Sequence, residues 1–430
     1  MPRPLRFCHL TTFYPPHNFG GDGIGIQRLC RALARRGHHV HVVYDRDAYR
    51  KLSGGKDPEL TPDPDGIEIT ALSSPLGTAS LVLTQQLGRP VAHAAAIRKI
   101  LDEGQYDVIN FHNASLVGGP GLFAYGDAVK LYMAHEHWLV CASHVLWRHG
   151  RELCKSRQCL RCVLNHGRPP QAWRYAGVLP RQGKHIDTFI AMSEFSRRKH
   201  REYGFPFEME VLPYFLPDPE PAASSSNEAT TSPHARPYFL FVGRLEMIKG
   251  LQEVIPLFAE RYTQADLLIA GDGEYMATLQ ALAGDNPRVK FLGRVPLDDL
   301  NRYYRHALAL IVPSMCYETF GIILIEAFRQ HTPVIARRIG PLPEIVEQAK
   351  AGALFETPDE LLAALHTMQN DAAQRAKWAD NGEQAYREHY CESRVLPRYL
   401  DIVRRAAQRK HDRRVLDALG ESPVNEQENA

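Results

Sequence analysis

Four charged residues in the second half of the chain have types and positions suited to gripping a polyhydroxylated diphosphate: Arg244, Lys249, Glu318 and Glu326. The apolar run Tyr238–Val242 reads as a buried strand that ends in Gly243-Arg244, with Lys249-Gly250 just before a helical pattern. Ligands of open parallel sheets sit beyond the carboxyl ends of the strands. Arg244 brings a planar fork and Lys249 a point charge, and both neutralise phosphate. The alternative for the pair is two surface cations flanking a turn. A second run, Val312-Pro313-Ser314, leads through Glu318 into a helix starting near Phe320, with Ile322-Ile323-Leu324-Ile325 followed by Glu326. The free N–H groups of that helix start, at Phe320 and Gly321, form a phosphate seat. Glu318 beside it suits sugar hydroxyls and Glu326 suits ribose hydroxyls. A carboxylate after four apolar residues is costly to bury unpaired. The competing assignment has Glu318 capping the helix and Glu326 pairing with a core cation.

Weaker signals lie at other strand ends. Gly271-Asp272-Gly273 either lets backbone approach a ligand at Gly273 or makes a tight turn. The strand end leading to Val295 is placed for backbone contacts to a base. In the first half, Gly20-Gly21 opens a helix and can seat phosphate on backbone N–H groups. There is no clean G-x-G-x-x-G, and Asp45 is only a weak ribose-binding candidate. His135-Glu136-His137-Trp138 follows a strand, and His135 is the acid–base candidate on the acceptor side. The alternative is a structural histidine, with His112 as a lesser candidate.

Cys141, Cys154, Cys159 and Cys162 have the spacing C-x12-C-x4-C-x2-C. Thiolates so spaced suit a structural tetrahedral zinc ion, the alternative being four unbound thiols. It would pin a loop carrying Arg148, Arg151, Lys155, Arg157 and Arg161 beside the cleft, where the charges either meet an anionic acceptor or are solvated. The other four cysteines read as buried thiols.

Strand-like runs must position these groups. They fall at Leu5–Thr12, His39–Tyr44, Ile67–Ala71, Asp107–His112, Lys130–His135, Asp187–Ser193 and Glu208–Pro213, then at Tyr238–Gly243, Asp266–Gly271, Val289–Gly293, Ala307–Pro313 and Pro333–Ala336. Helical patterns alternate with them, which implies two doubly wound α/β domains with parallel sheets. The expected limits are residues 1–216 and 238–390, joined by a Pro/Ser-rich linker at 217–237. A basic helix over 391–419 is expected to pack back on the first domain, and 420–430 to be a disordered tail. The basic face reads as solvated, with contact to an anionic membrane surface as the sharper alternative.

The 430 residues suit two domains, and 44% hydrophobic with 23% charged residues is a globular balance. A net charge of +2 gives no argument for a nucleic-acid partner. No apolar run of about 18 residues suggests a membrane span, and Met1–Leu10 lacks the architecture of a secretory signal. The expected location is cytoplasmic, at most peripheral on the inner membrane face.

Taken together, these motifs resemble the retaining GT-B glycosyltransferases of the group 1 (family 4) class. The resemblance rests on Phe13-Tyr14-Pro15-Pro16-His17 with Gly20-Gly21, Gly37-His38-His39-Val40, Gly243-Arg244 with Lys249-Gly250, Gly271-Asp272-Gly273, Pro313-Ser314, and Glu318 with Glu326, in that order. It implies two Rossmann-like domains facing across a cleft. It implies that Arg244 and Lys249 bind the donor diphosphate, Glu318 the donor sugar and Glu326 the ribose, with Gly20-Gly21 facing the phosphates. His135 with Glu136 resembles the family's His-Asp motif. Sugar transfer from a nucleotide-diphosphate sugar to a glycan or lipid-linked acceptor with retention follows, with no catalytic metal or cofactor required. His331-Thr332-Pro333-Val334 and Ile339-Gly340-Pro341, then Pro343-Glu344, depart from the family pattern and bear on donor preference. The rival readings are a nucleotide-sugar epimerase, which needs no acceptor, and a non-catalytic sugar-binding scaffold.

Overall fold

The computed structural model describes residues 3–60, 62–219, 231–262 and 264–420. Most of the linker (220–230) and the tail (421–430) lie outside the described residues. The first domain is built on strands β1 (Arg6–Thr11), β2 (His39–Asp45), β3 (Glu68–Leu72), β4 (Val108–Phe111), β5 (Val129–Ala134), β8 (Thr188–Ala191) and β9 (Met209–Val211). A separate hairpin, β6 (Trp147–Arg148) with β7 (Glu152–Leu153), projects between β5 and β8. The second domain uses β10 (Tyr238–Val242), β11 (Asp266–Ala270), β12 (Val289–Gly293), β13 (Leu310–Val312), β14 (Val334–Arg337) and β15 (Gly352–Phe355).

The seven-stranded sheet has the order β3-β2-β1-β4-β5-β8-β9 and the six-stranded sheet β12-β11-β10-β13-β14-β15. Every pairing in both is parallel. Strand order reverses between β1 and β4 and again between β10 and β13, the crevices where doubly wound sheets take ligands. Helices cover both faces, so strands such as β10, Tyr-Phe-Leu-Phe-Val, are continuous apolar runs instead of alternating ones. The helix Gly21–Arg35 buries Ile26, Leu29, Cys30 and Leu33 at helical spacing and presents its amino end to the first crevice. Among the described residues, no helix is long and apolar enough to cross a membrane.

The chain returns to its first domain at the end. Leu216 bridges Cys391, with Leu216 N–H donating to Tyr390 O at 3.0 Å and Glu392 N–H to Leu216 O at 2.9 Å. The helix Glu392–Lys410 then buries Val395, Leu396, Tyr399, Ile402 and Val403. The Tyr399 hydroxyl accepts from Asn110 Nδ2 on β4 at 3.2 Å. His411, at φ 56°, ends this helix, and a short one follows over Arg413–Ala418, so the expected single helix is broken. The basic face is partly tied to the first domain. Arg405 pairs with Glu210, Arg409 donates to Thr188 Oγ1 at 2.5 Å, Lys410 to Ala128 O at 2.6 Å, and Arg414 pairs with Asp107 at 3.1 Å. These charges bind the first domain while keeping between 29% and 52% of each side chain exposed.

Candidate active site

Arg244 and Lys249 follow β10, and Ser314 and Glu318 follow β13, so they flank the second crevice. Lys249 Nζ donates to Glu318 Oε1 at 2.6 Å, and Ser314 Oγ donates to the same oxygen at 2.9 Å. Among the described residues, no hydrogen bond reaches Glu318 Oε2. Desolvation is the largest influence on both charges, yet Lys249, Ser314 and Arg244 together hold the Glu318 carboxyl below its ordinary range, while Glu318 and Cys316 raise Lys249. Arg244 pairs with Glu246 at 2.6 Å and leaves 54% of its side chain exposed.

Backbone packing fixes these loops. Gly250 has φ 80°, and a Cβ there would lie 2.0 Å from Pro313 O, so only glycine brings the Lys249 turn against the β13 exit. At Gly273 a Cβ would lie 2.3 Å from Leu245 O. The tight-turn alternative therefore accounts for Gly273 without a ligand. Val295 is half-buried and packs at the edge of the core.

The amino ends of two helices from different domains meet at the cleft. Gly20 caps Gly21–Arg35, Gly321 (φ 109°) caps Ile322–Arg329, and a Cβ on Gly21 would lie 3.4 Å from Ile322 Cγ2. Two positive dipole ends with Arg244 and Lys249 make an anion seat. Phe320 contributes only backbone, because its ring is buried against Tyr214 and Tyr390. Asp22, in the first turn of its helix, is pushed up by burial and then by Glu136, with Arg244 pulling the other way.

Glu326 has two partners. Its Oε1 accepts from Arg28 Nη2 of the first domain at 3.1 Å and its Oε2 from the Tyr304 hydroxyl at 3.2 Å. Pairing with a cation, the competing assignment, is thus the contact made here, and a ribose would have to share or displace Arg28. Further bonds cross the cleft. Thr319 Oγ1 donates to His135 O at 2.9 Å, Ser193 Oγ donates to Thr319 O at 2.7 Å, and Glu344 accepts from the N–H groups of Glu194 and Phe195 at 3.0 and 2.9 Å. The last pair places a carboxylate on a helix amino end.

His135, the acid–base candidate, has both ring nitrogens engaged. Its Nδ1 lies 2.5 Å from the Tyr214 hydroxyl and its Nε2 2.8 Å from His112 Nδ1, while His112 Nε2 lies 2.9 Å from His9 Nδ1. Both ring nitrogens are taken up in a buried chain across the neighbouring strands β1, β4 and β5. The residue overlooked in the same motif is His137. It is 1% exposed and lies against the backbone of Tyr317 and Glu318, though neither ring nitrogen reaches hydrogen-bond geometry. Asp45, the weak ribose candidate, is fully buried and accepts from Ala48 N–H at 3.0 Å as a helix cap, with His93 3.7 Å away.

Burial holds His9, His135 and His137 down to about 3 and His200 to about 4. Each takes a proton near 6.5 once unfolded, so the unfolded chain binds more protons as the pH drops. Stability is full above about pH 6.5 and is lost below it, by about 1.4 kcal/mol per pH unit for each neutral histidine. The urea midpoint should therefore fall between about pH 7 and about pH 5. A midpoint flat across that range would contradict the neutral histidine chain.

Glycosyltransferase Family 4 matches residues 19–218, and Glycosyl transferases group 1 matches residues 224–385. A glycosyltransferase of Methanocaldococcus jannaschii is 31% identical over 435 residues, covering 93% of this chain and 98% of that protein. A D-inositol 3-phosphate glycosyltransferase of Corynebacterium jeikeium is 34% identical over 191 residues, covering 41% of this chain and 39% of that one. Among solved structures, sucrose-phosphate synthase of Thermosynechococcus elongatus aligns with a TM-score of 0.72 at 20% identity, over 94% of this chain and all of its own. HepE of Anabaena, in complex with UDP and glucose, aligns at 0.64 and 16% identity, over 93% of this chain and 99% of its own. With both family models in chain order and a relative matched at 31% identity over nearly its whole length, the chain belongs to the group 1, family 4 glycosyltransferases and has their GT-B fold.

Proposed function

We propose that this glycosyltransferase takes a hexosyl group from a nucleotide-diphosphate sugar held by the second domain and delivers it, with retention, to a glycan or lipid-linked acceptor held by the first. The observation that carries this reading is the Lys249–Glu318 pair beside two facing helix amino ends. Lys249 and Arg244 offset the negative charge that grows on the departing diphosphate, where a preorganised site contributes most. Glu318 Oε2 accepts from a donor-sugar hydroxyl while Oε1 stays on Lys249 and Ser314. Glu326 accepts from the ribose by exchanging with Arg28, so donor binding and the interdomain ion pair are linked. His137 lies against the Tyr317–Glu318 backbone of the donor loop, while His135 positions Tyr214 and the Thr319 loop through its ring and carbonyl. None of these steps needs a bound cofactor. HepE with UDP and glucose is a fold neighbour whose ligands are of the class proposed here.

The test is a donor panel read by thermal shift, with uridine, guanosine and adenosine diphosphate sugars. A donor at about 100 times its Kd should add about 2.7 kcal/mol. One base should stabilise the protein well above the others, and the Lys249→Ala variant should lose the shift. A panel with no stabilisation would overturn the reading. A new nucleotide sugar formed without acceptor would favour the epimerase.

A further inference from the structure

The insert between β5 and β8 carries four cysteines that sugar transfer does not use. Cys141 lies in the loop after Trp138. The chain then forms the β6–β7 hairpin, with Trp147 opposite Leu153 and Arg148 opposite Glu152, turning through His149 and Gly150 at φ 57° and 71°. Cys154 leaves the hairpin with its N–H on Leu146 O at 2.8 Å and its carbonyl accepting from the Tyr203 hydroxyl. Cys159 and Cys162 lie three residues apart on the helix Cys159–Asn165, and so on one face of it. All four line one cavity together with Leu146, Trp147 and Tyr203, and none is in a disulfide.

Two further contacts adjoin the sulfurs. The His149 N–H donates to Cys162 Sγ at 3.2 Å. The guanidinium of Arg174 lies close enough to Cys141 and Cys159 to interact with both electrostatically. It stacks over Trp173 at 4.3 Å, donates to Trp138 O at 2.6 Å, and has no carboxylate ion pair among the described residues. A half-buried cation with no acid partner calls for a nearby negative charge. Four thiolates around one divalent ion carry a net charge of −2 and would supply it.

We propose that Cys141, Cys154, Cys159 and Cys162 form a tetrathiolate site for a single zinc ion. No three of the sulfurs lie within 4.8 Å of one another. Tetrahedral zinc with Zn–S of about 2.3 Å holds its sulfurs about 3.8 Å apart, so binding turns the thiols inward from the cavity wall. The ion joins the loop, the hairpin and the short helix, which share little regular structure of their own, and its binding free energy becomes folding free energy for the insert. Through Tyr203 the site also adjoins the helix Glu194–Glu202, whose Lys199 lies over the Tyr317 ring at 5.0 Å, one residue from Glu318. The proposal is independent of the donor and acceptor chosen above.

Full-length protein purified from zinc-supplemented medium without chelator should contain one zinc per chain by elemental analysis. Exchange with cobalt should give the strong visible bands of tetrahedral cobalt and a thiolate-to-cobalt charge-transfer band. Cys159→Ser and Cys162→Ser should each abolish that band, while Cys8→Ala, in β1, should keep it. If the serine variants fail to fold, mercurial titration of the native protein serves instead, and zinc should be released in step with modification of the four thiols. Metal well below one ion per chain, a disulfide among the four cysteines, or a cobalt spectrum without thiolate charge transfer would overturn the proposal.

Discussion

Lys249→Ala is expected to lower kcat by about 100- to 1,000-fold, the usual effect of deleting one preorganised group from a charge-stabilising site. Lys249 approaches Glu318 Oε1 at 2.6 Å and stands at the strand end where the diphosphate would leave. Its loss removes a cation from the departing group and leaves the carboxylate with Ser314 alone on that oxygen. The second effect is controllable. In Lys249→Ala with Glu318→Gln the orphaned charge is gone, so any defect beyond that of Glu318→Gln alone belongs to the diphosphate. Lys249→Arg keeps the charge but not the point geometry, and should recover donor binding more fully than kcat. Single-turnover measurement at saturating donor separates the two. A kcat for Lys249→Ala within about threefold of wild type would be a far smaller loss than one such group normally contributes and would remove Lys249 from the chemistry.

Tyr399→Ala should cost about 3–5 kcal/mol, the range for truncating a fully buried aromatic. The ring is fully buried, and the hydroxyl accepts from Asn110 Nδ2 in the middle of the first sheet. Tyr399→Phe keeps the ring and loses only the hydrogen bond, for which about 1 kcal/mol is expected. The two variants therefore separate packing from polarity. Two domains need not unfold in one step, so urea unfolding should be followed with probes in each. Because the helix Glu392–Lys410 packs on first-domain strands, the first-domain transition should shift, although residues 391–410 follow the second domain in sequence. A shift confined to the second domain would show that this helix does not stabilise the first.

Much of the fold is legible in the sequence because parallel strands covered on both faces are uninterrupted apolar runs. The runs at β10, at β11 after Asp266 and at β13 are of that kind. β15 was missed because Gly-Ala-Leu-Phe has low strand propensity at its first two positions, and a Cβ on Gly352 would lie 2.0 Å from Val334 O. The β6–β7 hairpin is two residues per strand, too short to show a period. Residue types marked Arg244, Lys249, Glu318 and Glu326, but their partners depend on three-dimensional order. Arg28 shares a helix with Arg31 and Arg35 and reads as part of a solvated stripe, yet it meets Glu326 across 298 positions of chain. The fate of His135 was hidden for a similar reason. Only the adjacency of β1, β4 and β5 brings His9, His112 and His135 into line. His137, two residues on, carries no distinguishing sequence signal at all.

The crossing at Leu216 and Cys391 has a mechanical consequence. The polypeptide passes between the domains twice, out through the segment after Leu216 and back through Tyr390–Cys391, and the two passages are bonded side by side. Asp218 accepts from Ser393 N–H at 3.1 Å, which extends the contact beyond the bridge. A single tether would let one lobe swivel freely on the other. Two parallel tethers behave like the spine of a book: the covers swing apart and together, but twisting one against the other shears the binding. Any opening of the cleft about this seam would run close to one axis and would have to break the Arg28–Glu326 pair.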